Sequence, residues 1–334
     1  MDTMLESGLS MSQWLQESYP QLETFFYYIS ELGIEEFYLA VIPLIYWCIH
    51  KRLGKHLAFV FLISVMLNAI GKHALRTPRP YWLDGSLGLA AEDSYGVPSG
   101  HAQLATTTYL FVAGWIQKRW VWLVAIVMVI LMGISRIYLG VHFWHDTLAG
   151  FLVGLLVLSG YIIWQHYLAR NFNKQILGYR LMFAVALPLG LALIYGLIRL
   201  LIGDPDMSAA WSAYIPDAEI ASIEAAATGF GALLGACIGL LLESSRVRFR
   251  VDGAIWKRAL RYLLGLAVTL LIWGGLRAVF PSEPLLVAIP LRVVRYTAIL
   301  LWVAYYAPML FVWLRLAEAE PDPGITIAMR QEEG

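Results

Sequence analysis

The sequence predicts an all-α fold, a polytopic membrane helical bundle of about nine transmembrane helices, and three observations predict it. Hydrophobic residues make up 59% of the 334 and charged residues only 14%, where a soluble domain carries roughly a quarter. Nine apolar stretches approach or exceed the ~20 helical residues that cross a hydrocarbon core. The connections between them alternate, basic then acidic, as the two faces of a membrane require. The 24 basic and 24 acidic side chains cancel, so no global field recruits nucleic acid. Cys48 and Cys237 lie alone in separate apolar runs and read as packing residues, not as a disulfide framework or a thiolate metal site.

Residues 1–33 come first: "WLQESYPQLETFFYYI" mixes aromatics with acids, is too polar to span, and reads as an amphipathic helix along the interface. It lacks the basic start and apolar core of a signal peptide and is read as retained. Spans at 34–50, 53–75, 101–117, 119–139 and 142–166 build a first membrane unit over residues 34–170. Spans at 180–202, 220–243, 256–280 and 293–316 build a second over 175–316, and 317–334 is a polar tail. Lys51, Arg52 and Lys55 follow the first span, Lys118 and Arg119 the third, Arg170, Lys174 and Arg180 the fifth, and Arg246, Arg248 and Arg250 the seventh. The intervening loops at 83–96 and 203–219 are acidic. Cytoplasmic loops are the basic ones, so the N-terminus is expected outside and the tail in the cytoplasm.

Three polar clusters break this charge rule, all on the expected outer side. In "GKHALRTPRP" (71–80), Lys72 sits on the last turns of the second span, and Pro78 and Pro80 stop the helix so that Arg79 lies on irregular chain. In "PSGH" (98–101), Ser99 is placed to cap the third span, whose free N–H groups at Gly100 can receive an anion. In "SRIYLGVHFWHD" (135–146), Arg136 ends the fourth span, while His142 and Asp146, four apart, share one face at the start of the fifth. Lys72, Arg79 and Arg136 are thus three cations facing a helix N-terminus, which suits the equatorial oxygens of a phosphoryl group. Of two histidines, His101 and His142, one must attack phosphorus or activate water while the other protonates the departing oxygen. The Asp146 carboxylate assigns the first task to His142 by fixing its tautomer. His73 and His145 are expected only to pack or hydrogen-bond locally.

The order Lys72-x6-Arg79-Pro80, Pro98-Ser99-Gly100-His101, Ser135-Arg136-x5-His142-x3-Asp146 resembles the three signature motifs of the type 2 phosphatidic acid phosphatase (PAP2) superfamily, without a departure. The resemblance implies a phosphatase with no metal and no cofactor, with His142 as nucleophile through a phosphohistidine, Asp146 orienting it and His101 as general acid. It also implies that Lys72, Arg79, Ser99, Gly100 and Arg136 bind the phosphate. The expected partners are a lipid phosphate substrate and the bilayer, in the plasma (inner) membrane with the site on the extracytoplasmic side. A phosphotransferase using the same site, or a transporter that retains it for binding, are the alternatives.

The motifs cover residues 72–146 alone. The later spans carry no signature legible in the sequence, although a motif core followed by extra C-terminal spans is similar in layout to sphingosine-1-phosphate phosphatases. Glu224 lies inside the seventh span, and Arg277, Arg292 and Arg295 lie near the outer ends of the last two. Intramembrane charges are costly unless paired, so an ion pair joining these spans is expected.

Overall fold

A computed structural model describes residues 3–320. In chain order the described residues form α1 (Thr3–Ser18), α2 (Glu23–Glu31), α3 (Glu35–Leu44), α4 (Lys51–Leu75), α5 (Pro80–Leu83), α6 (Gly100–Ile116) and α7 (Arg119–Tyr138). There follow α8 (Trp144–Ile163), α9 (Ala169–Asn173), α10 (Leu177–Ile202), α11 (Ile215–Leu242), α12 (Ile255–Val279), α13 (Leu285–Leu301) and α14 (Ala307–Trp313). Extended pairing among them is limited to an isolated bridge between Phe249 and Ala319.

Helices stand at all nine places where the sequence is apolar. Among the described residues, seven segments are long and apolar enough to cross a membrane alone, and Pro20–Glu31 with Glu35–Ile49, bent by 48°, make an eighth if they form one span. Helix α6, with 17 residues, falls just short on length. Two boundaries move. The seventh span begins at Ile215, not 220, because Pro216 and Asp217 suit a first turn. The ninth begins at Leu285, not 293, directly after Pro284, so Arg292 and Arg295 lie two to three turns inside the helix.

Helix α4 is the central post, packed against α6, α8, α10 and α11. Its polar face is satisfied across the bundle: Ser64 Oγ lies 3.1 Å from Thr107 Oγ1, Gln103 donates to Ser64 O at 2.7 Å, and Asn68 donates to Gln103 Oε1 at 2.8 Å. Such bonds hold helices together where no hydrophobic force distinguishes neighbour from lipid. Helix α8 lies so close to α6 that a Cβ on Gly150 would sit 2.6 Å from Ser99 O, and one on Gly154 2.9 Å from Gln103 O. That approach sets the start of α8 beside the start of α6. Among the later helices, Cβ atoms on Gly231 and Gly235 of α11 would meet Val293 O and Thr297 O of α13 at 2.5 and 2.4 Å. Small residues four apart are a close-packing seam. Large side chains such as Leu123, Ile130, Leu156, Leu200 and Leu271 stay exposed on the outer surface, as lipid contact demands.

The N-terminal helices pack on the bundle. Helices α1 and α2 lie against α7, Gln16 donates to the carbonyls of Leu87 and Tyr138 at 2.9 and 2.7 Å, and the Phe26 ring packs tilted against Tyr138 with ring centroids 4.8 Å apart. They roof the end of the bundle where the 84–99 and 139–143 connections meet.

Candidate active site

Local chain chemistry delivers each polar side chain to this roofed end. Helix α4 ends when Arg76 turns left-handed (φ 46°), and Pro78 and Pro80 keep the chain from resuming it. Arg79 is thereby held extended and fully buried. Its Nη1 donates to Val141 O at 2.9 Å and to His142 Nε2 at 3.1 Å, and its Nη2 donates to Ser94 Oγ and Tyr95 O, both at 3.1 Å. One turn before the end of α4, the Lys72 ammonium donates to Tyr95 O at 2.7 Å and Ser94 Oγ at 2.9 Å.

Gly140, at φ +69°, makes the turn out of α7, where any side chain would collide with Leu87 O. The turn carries His142 back over the bundle. Asp146 Oδ2 accepts the Phe143 N–H at 3.0 Å and lies 3.2 Å from His142 Nδ1. An arginine has no acceptor, so Nε2 of His142 must accept from Arg79, and the ring proton resides on Nδ1 facing Asp146. Burial, then the charges of Arg79, Lys72, Arg136 and His101, push the His142 pKa well below that of an ordinary histidine.

The third cation, Arg136, donates to Ser30 Oγ and to Glu92 Oε1. Glu92 also lies 3.4 Å from Arg79 Nη2 and 3.6 Å from His101 Nδ1. Burial would raise this carboxyl, but Arg136, Arg79, His101 and Lys72 hold it below the usual carboxylate range. His101 Nε2 and the Ser99 hydroxyl are buried with no partner. A pocket of about 300 Å³ opens here, with Lys72, Glu92, Ser94, Gly100 and His101 on its wall.

The eight residues predicted from the sequence therefore come together. One expectation fails: Ser99 makes no side-chain cap on α6. Instead its N–H donates to Asp146 O at 3.0 Å, which leaves the hydroxyl turned to other use. His145 keeps local company, stacked on Phe143 at 5.2 Å with its Nε2 3.2 Å from Asp146 Oδ1.

A family model for the PAP2 superfamily matches residues 53–170, a stretch that contains every one of these residues except Ser30. Phosphatidylglycerophosphatase B of Bacillus subtilis is 31% identical over 165 residues, which cover 46% of this chain and 75% of that protein. The chain belongs to the PAP2 superfamily. Undecaprenyl-diphosphatase of Sulfolobus acidocaldarius is 30% identical over 135 residues, 38% of this chain and 63% of that protein. Human sphingosine-1-phosphate phosphatase 2 is 30% identical over 154 residues, and there the match spans 42% of this chain and 38% of the relative's length.

A second model, described as a PAP2 superfamily phosphatase transmembrane extension, matches residues 227–319. The later spans thus do carry a family signature, one spread over apolar positions that no short motif marks. They are joined as expected by an ion pair, Arg292 to Glu224 at 2.9 Å. Arg277 and Arg295 take no part in it and lie over the rings of Trp273 and Tyr296, each 5.2 Å away.

Sequence reasoning missed Glu92, Ser94 and Ser30 in this cluster. A signal for Glu92 was present: three cations had been assembled with Asp146 as the sole nearby acid, and the next loop held Asp84, Glu92 and Asp93. Nothing local marked Ser30, which meets Arg136 across 106 residues of chain.

Proposed function

We propose that this chain is an integral membrane lipid phosphate phosphatase that hydrolyses a phosphate monoester or diphosphate of a lipid at the outer membrane face through a phosphohistidine. The observation that carries the reading is the His142 ring, neutral, with its Nε2 lone pair directed into a cluster of cations. Membership of the PAP2 superfamily supports it, as do three relatives named for phosphatase action on phosphatidylglycerophosphate, undecaprenyl diphosphate and sphingosine 1-phosphate.

In the first half-reaction, Nε2 attacks phosphorus, and the bond from phosphorus to the lipid oxygen breaks. The His101 ring, entering as the imidazolium opposite Glu92, gives that oxygen a proton and becomes neutral, so the lipid departs as an alcohol or, from a diphosphate, as a monophosphate. Nδ1–H, held against Asp146, keeps the phosphorylated ring cationic at a stabilised site. In the second half, His101 takes a proton from water, the hydroxide attacks phosphorus, and the P–N bond breaks. Inorganic phosphate leaves and both rings regain their starting states. Arg79, Arg136, Lys72 and the α6 N-terminus offset the charge on the equatorial oxygens throughout.

The test is phosphate release by purified protein from a panel of lipid phosphates and diphosphates, with and without EDTA. Release that survives chelation and disappears in His142→Ala supports the reading. Release that is lost in EDTA and restored by one divalent ion contradicts its metal-independent part, and no release from any lipid phosphate contradicts the whole.

A further inference from the structure

Two hollows share a wall. The pocket at the cation cluster and a separate apolar cavity of about 90 Å³ are both lined by Glu35 and Val65. The same two helices run past both. On α4, Lys72 and Asn68 face the polar pocket, and Val65, Leu62 and Ala58 face the apolar cavity. On α11, Ser222 and Ala225 give way to Gly229, Ala232 and Ala236. Steps of three and four keep each series on one helix face. Tyr296, Leu300 and Val303 close the far side, held there by the glycine seam between α11 and α13. From Lys72 to Ala58 is fourteen residues, roughly 21 Å of helix, most of the way through a ~30 Å hydrocarbon core.

We infer that this cavity seats the hydrocarbon chain of the substrate, so that the family's transmembrane extension, through α11 and α13, measures chain length for a site built by the first unit. The occupant is one alkyl, acyl or prenyl chain covalently attached to the phosphate bound above it. A chain is the one ligand that can start at a cluster of cations and continue along a face of Val, Leu, Ala and Gly. The small side chains of Ala232 and Ala236 on α11 leave width for methylenes, and because the chain arrives from the bilayer and not from water, its seating rests on van der Waals contact with these walls. The headgroup identity rests on the phosphatase reading; the seat of the chain does not.

Ala58→Phe and Ala232→Phe each narrow the cavity from a different helix and touch none of the catalytic set. With hexadecyl phosphate, kcat/KM of each variant is expected to fall by about tenfold, because the phenyl ring takes the place and the packing contacts of the distal methylenes. With hexyl phosphate, whose chain ends near the junction at Val65, the change is expected to stay below about twofold. Equal losses on both substrates, or none on either, overturn the inference. A non-hydrolysable hexadecyl phosphonate with a photoreactive group at its chain end gives an answer from wild-type protein alone. Cross-links on α4, α11 or α13 support the cavity, and cross-links confined to α7 or α8 overturn it. If no alkyl phosphate releases phosphate, the phosphatase reading fails while the cross-link still decides where the chain lies.

Discussion

His142 is a base kept uncharged among cations, and this has consequences at the scale of one residue. A lowered pKa means that the neutral form, the one the proposed attack needs, persists as pH falls past 6.5 and is lost only as pH falls through the depressed value. The acid limb of kcat/KM should therefore lie below pH 6.5, once the substrate's own second ionisation near pH ~6 is allowed for. A limb centred above 6.5 would mean that Arg79, Lys72, Arg136 and His101 do not face the ring as described. His142→Ala should lower turnover by about 10³-fold or more and leave no acid-labile phosphoenzyme to trap by rapid quench. Asp146→Asn retains the shape around Phe143 N but loses the charge that selects the Nδ1–H tautomer, and a loss of about 10²–10⁴-fold is expected. Trapping of labelled phosphate on a residue other than His142 would assign the nucleophile elsewhere.

Elements place these residues, and the decisive contact is α6 against α8. Gly150 and Gly154 let α8 lie against the backbone of α6, which is what brings the start of one helix to the start of the other. Gly150→Val should push Ser99 away from Asp146, destabilise the fold by about 1–3 kcal/mol, and reduce phosphate release more than thermal unfolding in detergent alone explains. Unchanged activity would show that the approach is not needed. The Glu224–Arg292 pair lies about two turns inside its helices, so Arg292→Met should strand an unpaired intramembrane carboxylate and lower the melting temperature in detergent clearly. The helices themselves were legible because twenty apolar residues in a row have few other fates. The motif residues were legible because charge and proline stand out in such a chain. The N-terminal helices were less so: Ser12 and Ser30 are buried by contacts with chain about seventy or more residues away, and a polar, aromatic helix looks the same in sequence whether it rests on lipid or on protein.

At the scale of the whole molecule, the alternating loops predict sidedness. Cysteines placed at the exposed positions Ala91 and Ser208 should react with an impermeant thiol reagent from outside intact cells, and one at exposed Ser245 should not. Cys48 and Cys237 are buried and should give a low background. The reverse pattern would move the site to the cytoplasm. The sequence sets a run of spans with motifs before a run without. The helix that unites them, α11, was not singled out, because a face made of Gly and Ala carries little hydropathy signal while packing on both α4 and α13.

On the proposed reading, a site that grips an oxyanion with three cations also has to release one. Glu92 already sits among Arg136, Arg79 and His101, and its carboxylate is the anion that can reoccupy them when inorganic phosphate departs. Turnover then becomes an exchange of counter-ions, with product escape eased by an internal competitor that never leaves. Glu92→Gln should bind phosphate more tightly and release it more slowly, so product inhibition should deepen even where the first turnover is unimpaired. An unchanged inhibition constant for phosphate would leave Glu92 a structural partner of Arg136 and nothing more.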